Sequence, residues 1–224
     1  MQIAIDGPAG AGKSTVAKLV AEKLGYLYID TGAMYRALTY LVLQKGADPG
    51  DEESVFHTLR GMDLQFHPGA GTSSYRVTVN GVDVTERIRH PDVGKFVSLV
   101  SSYGRVREAM VALQQELAEG RNVVMDGRDI GTTVLPNAEL KIFLSASVEE
   151  RARRRLNELA AKGYDLTLAK VIADLKQRDH IDSTRAVSPL RKADDAVEID
   201  TTDLSIDQVV ERILALVAWR ETHV

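Results

Sequence analysis

Residues 3–15, IAIDGPAGAGKST, constrain this chain more than any other stretch. A short apolar run, Ile3-Ala4-Ile5, reads as a strand, and Gly7-x4-Gly12-Lys13-Ser14 then meets the phosphate-loop pattern. Glycines at 7, 10 and 12 open backbone angles closed to residues with a Cβ, so successive N–H groups turn inward around an anion. Lys13 brings a mobile positive charge for the β- and γ-phosphates, and Ser14 a hydroxyl for Mg²⁺. Val16, Leu19, Val20 and Leu24 recur at helical spacing, which predicts a helix over 13–24 with its positive end toward the same anion. A glycine-rich turn that met the pattern by chance would lack both flanking elements. Gly7, Pro8, Ala9, Gly10, Ala11, Gly12, Lys13, Ser14 and Thr15 are therefore the candidate ATP site.

Short apolar stretches near 2–6, 26–29, 122–125, 140–144 and 196–199 alternate with helical patterns. Such alternation predicts an α/β fold of the P-loop nucleoside-triphosphate-hydrolase kind, a mostly parallel sheet with helices on both faces. Helices are expected over 33–44, capped by Thr31 with Asp30 near its positive end, then over 91–101, 105–119, 148–162, 168–182 and 206–219. Between 46 and 89 the period shortens to two, and Asn80-Gly81 is a strong hairpin signal before Val82. The expected organisation is a core of 1–45 and 90–224 interrupted by a small α/β lobe, 46–89, whose Gly69-Ala70-Gly71 tip is expected to be mobile.

A net charge of −4 gives no general pull toward nucleic acid or an anionic membrane, so phosphate binding must come from local arginines. No apolar run reaches the ~20 residues of a membrane span, and the first residues read as a strand, leaving no room for a signal peptide. With no cysteine, thiolate and disulfide chemistry are excluded. The five histidines are scattered, without the spacing of a zinc site. A soluble, cytoplasmic protein is expected, a monomer by default.

Arginines recur where charge is otherwise out of place. Arg36 and Arg107 fall in the first turns of predicted helices, electrostatically the wrong end for a cation unless an anion is bound. Arg151, Arg153, Arg154 and Arg155 line one helix beside Glu149 and Glu150, which a solvated face would also explain. Arg178, Asp182 and Arg185 stand at i, i+4, i+7 and share one face if the helix persists that far, a spacing that a surface salt-bridge row would also explain. Asp126 ends a buried strand, where a carboxylate contacts Mg²⁺ or its water shell, and Arg128 and Asp129 follow at once. Absence of Asn-Lys-x-Asp removes the usual guanine-reading signal of GTPases. Many arginines around one magnesium site suit phosphoryl transfer, which needs positioning and charge neutralisation rather than covalent help.

Asp6-Gly7-Pro8-Ala9-Gly10-Ala11-Gly12-Lys13-Ser14-Thr15 and Asp30-Thr31-Gly32-Ala33-Met34-Tyr35-Arg36 resemble the bacterial cytidylate kinase family of nucleoside monophosphate kinases. So do Arg105-Val106-Arg107-Glu108, Asp126-Gly127-Arg128-Asp129-Ile130-Gly131-Thr132, and Arg178-Asp179 followed by Asp182 and Arg185-Ala186-Val187-Ser188-Pro189-Leu190. The similarity runs through nearly the whole chain in order. It implies transfer of the γ-phosphoryl of ATP to CMP or dCMP with Mg²⁺. It further implies that Thr31, Arg36, Ser98, Arg107, Asp126, Arg128 and Asp129 hold the monophosphate, with Arg128 and Asp129 reading the cytosine. Arg178 and Asp182 would approach the ribose and Arg185 would lie between the phosphates. Lys13, Arg128, Arg151, Arg155, Arg178 and Arg185 are the implied catalytic cations. The 46–89 lobe would bind the monophosphate, and a segment about 150–166 would be a lid over ATP. The family often carries Ser where this chain has Thr31; the hydroxyl is kept.

Two other classes share the donor loop: a different small-molecule kinase, such as an adenylate or shikimate kinase, and a nucleotide-dependent switch without turnover. The acceptor separates the first, and intact Lys13, Ser14 and Asp126 argue against the second.

Overall fold

Ile3, Ala4 and Ile5 are wholly buried, so the first strand, β1 (Gln2–Asp6), has protein on both faces and must lie inside a sheet. A computed structural model, which describes residues 1–68 and 75–223, places it there. The chain divides into two compact units, one of Met1–Ile29 with Gly120–Val224 and one of Asp30–Glu119. The expected lobe, 46–89, falls within the second, and its Gly69-Ala70-Gly71 tip lies outside the described residues.

In the first unit β1 pairs in parallel with β6 (Val123–Gly127) and β7 (Leu140–Ser145), and β7 with β8 (Val197–Asp200). With β2 (Leu27–Asp30) beside β6, the sheet order is β2-β6-β1-β7-β8. Register sets the chemistry: Ile5 stands opposite Asp126, and Asp6 opposite Gly127. Three active-edge carboxylates, Asp6, Asp126 and Asp129, thus leave neighbouring strands at their carboxyl ends, where ligands bind in open α/β sheets. Helices α1 (Lys13–Leu24) and α8 (Ile206–His223) supply Val16, Val20, Val210, Ile213 and Val217 to one core with Ile3, Ile5, Ile142 and Leu144. Gly25, at φ +68°, ends α1 in the left-handed conformation that closes its last turn. Helices α6 (Val148–Ala161) and α7 (Leu168–Thr184) pack together and close a smaller apolar cluster, Ala152, Val171 and Leu175, on Ala9 of the glycine loop. This is the α/β, mostly parallel P-loop architecture expected.

In the second unit α2 (Thr31–Gln44) packs against α3 (Glu52–Arg60), α4 (Pro91–Val100) and the antiparallel sheet β3 (Leu64–Pro68), β4 (Tyr75–Val79), β5 (Val82–Asp83). Helix α5 (Gly104–Ala118) completes it. Ala33 and Ala37 of α2 meet Val77 and Val79 of β4 in its core. Asn80 at φ 51° and Gly81 at φ 78° make the two-residue turn predicted there. The cap of α2 differs from expectation: Asp30, not Thr31, accepts from the Ala33 N–H, at 2.7 Å, and Thr31 is the first helical residue. A carboxylate offers that N–H a charged acceptor near the positive helix end, which a threonine hydroxyl cannot.

Candidate active site

The glycine loop is shaped by what surrounds it. Gly7 has φ +148°, and a Cβ there would stand 2.1 Å from the Leu144 carbonyl oxygen, so the β7 backbone forbids any side chain. At Gly10, with φ +79°, a Cβ would stand 3.1 Å from the Cβ of Arg151. Lys13 is buried and donates to the Pro8 carbonyl across the loop at 2.8 Å. Burial and the nearby Arg128 push its ammonium well below the usual lysine range, a shift that bound phosphates would oppose.

Asp126, buried at the end of β6, accepts from Ser14 Oγ and from the Tyr28 hydroxyl, each at 2.8 Å. A hydroxyl and a carboxylate in contact are the hard oxygen donors that suit Mg²⁺. Among the described residues no group of three or more His, Cys, Asp or Glu stands together to cage a metal.

Arg128 is held by α7 and Asp129 stands near Arg185, the residue that follows that helix. Arg128 Nε donates to Asp182 Oδ2 at 2.8 Å, and Asp129 Oδ1 lies 3.5 Å from Arg185 Nη2. Burial alone would raise the Asp182 carboxyl, but Arg128, Arg178 and Arg185 hold it below the usual carboxylate range. The helix ends at Thr184, so Arg185 leaves the i, i+4, i+7 row in extended backbone, yet Asp182 and Arg185 are both buried and do not form a solvated salt-bridge row. Arg185 is further fixed by its Nε bond to the Ser188 carbonyl, 2.8 Å.

Asp6 joins the loop to this pair. It is buried, and its two oxygens accept from the Ile130 and Gly131 N–H groups, each at 2.8 Å. These N–H groups belong to a short π-helical turn, Ile130–Val134, that the sequence reading missed. Burial outweighs the two N–H bonds and, with Asp129 adding repulsion, pushes the carboxyl up to about 6.

Of the α6 arginines only Arg151 turns to the loop. It pairs with Asp179 at 2.7 Å and donates to the Ala9 carbonyl at 2.9 Å, bracing the loop backbone. Arg155 pairs with Glu158 at 2.8 Å in a part-exposed position, and Arg154 is tied to Glu150 and Thr201. Arg178 is half-buried on α7.

The second unit holds the remaining candidates. Arg36 Nη2 donates to Asp30 Oδ2 at 3.0 Å, and the Tyr75 hydroxyl donates to the same oxygen at 2.6 Å. Burial would raise Asp30, yet Arg36, Tyr75 and the Ala33 N–H hold it below the usual carboxylate range. Arg107 is buried, donates to the Ser101 carbonyl at 3.0 Å, and lies 5.4 Å from the Tyr35 ring centroid. Arg105, its neighbour at the start of α5, is spent on the surface instead, paired with Glu53 and stacked on Phe56. Thr31 and Ser98 are buried, and Ser98 Oγ has no hydrogen-bond partner among the described residues. Tyr28, Tyr75 and Asp6 escaped the sequence reading. Only the pairing of Asp6 with the glycine loop hinted at one of them.

The sequence model of the family described as cytidylate kinase matches residues 3–219. The cytidylate kinase of Halalkalibacterium halodurans is 56% identical over 220 residues, covering 98% of each chain. That of Geobacillus kaustophilus is 58% identical over 220 residues, 98% of this chain and 97% of its own. Among solved structures, an uncharacterized protein from Eubacterium ventriosum has a TM-score of 0.52 at 14% identity, over 97% of this chain and 98% of that one, a likeness of fold alone. Phosphate loop, inward-facing Arg128-Asp129 turn and full-length relatives agree, and the chain belongs to the cytidylate kinase family.

Proposed function

We propose that this protein transfers the γ-phosphoryl group of ATP to CMP or dCMP, giving ADP and CDP or dCDP. The observation that carries the reading is that one buried carboxylate, Asp6, binds the turn directly after Arg128 and Asp129 to the strand that opens the phosphate loop. Family membership over residues 3–219 supports the choice of acceptor.

In this reading Gly7 to Thr15 hold the triphosphate of ATP, with Lys13 on its outer phosphates. Mg²⁺ would be held by Ser14, with Asp126 accepting from that hydroxyl or reaching the ion through water, and would offset charge on the transferring group. Thr31, Arg36, Ser98 and Arg107 take the acceptor phosphate, and the buried Ser98 hydroxyl gains the partner it lacks. Arg128 donates to the cytosine carbonyl, Asp129 accepts from its amine, and Arg178 and Asp182 serve the ribose. A phosphomonoester's second pKa of about 6 leaves the acceptor an anion near neutrality, so no general base is required. Arg151, Arg155, Arg178 and Arg185 stabilise charge as the segment about 150–166 closes and excludes water. The enzyme acts on free nucleotides in the cytoplasm as a monomer, without nucleic acid or membrane.

The test is ADP release with ATP, Mg²⁺ and CMP, dCMP, UMP, AMP or shikimate in turn, on wild type and Asp129→Ala. Turnover is expected with CMP and dCMP. UMP offers a carbonyl to Asp129 where CMP has an amine, so wild type should prefer CMP by at least ~100-fold, and Asp129→Ala should lose most of that preference while keeping its KM for ATP. Another acceptor winning, or discrimination unchanged in Asp129→Ala, would overturn the acceptor assignment.

A further inference from the structure

The role of the small antiparallel sheet is readable from one residue. Tyr75 opens β4, and Val77 and Val79 follow it on the same face, since side chains alternate along a strand. Those two valines are buried against Ala33 and Ala37 of α2, so β4 and α2 share one core. The Tyr75 ring is held beside Phe66 of β3, centroids 5.6 Å apart. Its hydroxyl is thereby delivered to Asp30 Oδ2, 2.6 Å away, the oxygen that also receives Arg36 Nη2. The other oxygen, Oδ1, is committed to the Ala33 N–H.

We propose that Tyr75 is a positioning residue for the acceptor phosphate: its hydroxyl shares the Asp30 carboxylate with Arg36 and so sets how far that carboxylate draws the guanidinium. This rests on the reading in which Arg36 binds the phosphate of CMP. A buried carboxylate demands donors. With Tyr75 meeting part of that demand, the pull of Asp30 on the Arg36 guanidinium is divided between two donors. Burial and the adjacent carboxylate hold the Tyr75 phenol well above its usual range, so it remains a donor at every working pH. Arg89 adds positive charge nearby. Removing the hydroxyl leaves Oδ2 to Arg36 as its side-chain donor and pulls the guanidinium onto Asp30.

The experiment is steady-state kinetics on the full chain for wild type, Tyr75→Phe, Arg36→Ala and the double variant, with melting temperatures for each. Phenylalanine keeps the ring beside Phe66, so the fold is retained. Tyr75→Phe should raise KM for CMP about tenfold, as expected for losing a hydrogen bond to a charged group, with kcat and KM for ATP within about twofold of wild type. In the Arg36→Ala background the same change should do nothing further, because the group it positions is gone. A KM for CMP within twofold of wild type, an equal rise in both backgrounds, or a fall in kcat together with melting temperature would overturn the role of Tyr75. Arg36→Ala with an unchanged KM for CMP would instead overturn the acceptor assignment, and the role of Tyr75 with it.

Discussion

Asp6 meets two opposed demands. Its neighbours on the Ile130–Val134 turn want a carboxylate to accept two N–H bonds, while its burial penalises the charge. The carboxyl is raised from 3.8 to about 6 on folding. Between those values the folded chain binds the proton and the unfolded chain does not, so this group's contribution to stability falls as pH rises through 4 to 6. A rise of that size is worth about 3 kcal/mol. Asp30 and Asp182, held below their usual range, act the opposite way: their contribution is full above the unfolded value and fades as pH falls below it. Asp6→Asn removes only the first trend. Urea unfolding of both proteins at pH 4, 5, 6 and 7 should show the Asn variant gaining on wild type by roughly 2–3 kcal/mol across that interval. A constant difference at all four values would mean that Asp6 does not titrate there.

At the scale of elements, the β4–β5 hairpin isolates one cost. A Cβ on Gly81 would meet nothing within 4 Å, so Gly81→Ala is penalised only through its left-handed φ of +78°. That strain is about 1 kcal/mol, and chemical denaturation should register it without a change in KM for either nucleotide. Elements such as this hairpin, α1 and the five core strands are legible in the chain because period, glycine and capping signals lie within a few neighbours. The same locality explains the phosphate loop, whose residues are consecutive. The sequence points to Thr31 as the cap of α2 because both it and Asp30 offer oxygen, and only the bond from Ala33 to Asp30 decides between them. Tyr28 on Asp126, Tyr75 on Asp30 and Asp6 on Ile130 join residues 98, 45 and 124 positions apart. No local pattern encodes such pairs. The inward turn of Arg107 and the outward turn of Arg105 likewise follow from Tyr35, Glu53 and Phe56, which packing brings up. The arginines are visible in the sequence; their directions are not.

For the molecule as a whole, ligand binding should divide cleanly by residue. A ligand at a hundred times its Kd stabilises by about 2.7 kcal/mol, roughly 5–10 °C in a chain of this size. Lys13→Ala should abolish the rise in melting temperature with ATP and keep the rise with CMP, and Arg36→Ala should do the reverse. Loss of both shifts in either variant would contradict the separate donor and acceptor roles. One consequence of the sheet order concerns synthesis. β1, the first strand made, lies between β6 and β7, so its neighbours are residues 123–127 and 140–145. At about 5–20 residues per second the ribosome leaves Gln2–Asp6 without its β6 neighbour for ~6–24 s. The unbroken segment Asp30–Glu119 has all its own partners before Gly120 is added. The nascent chain thus completes the unit carrying Arg36 while the loop carrying Lys13, although translated first, still waits for the strands that give it shape.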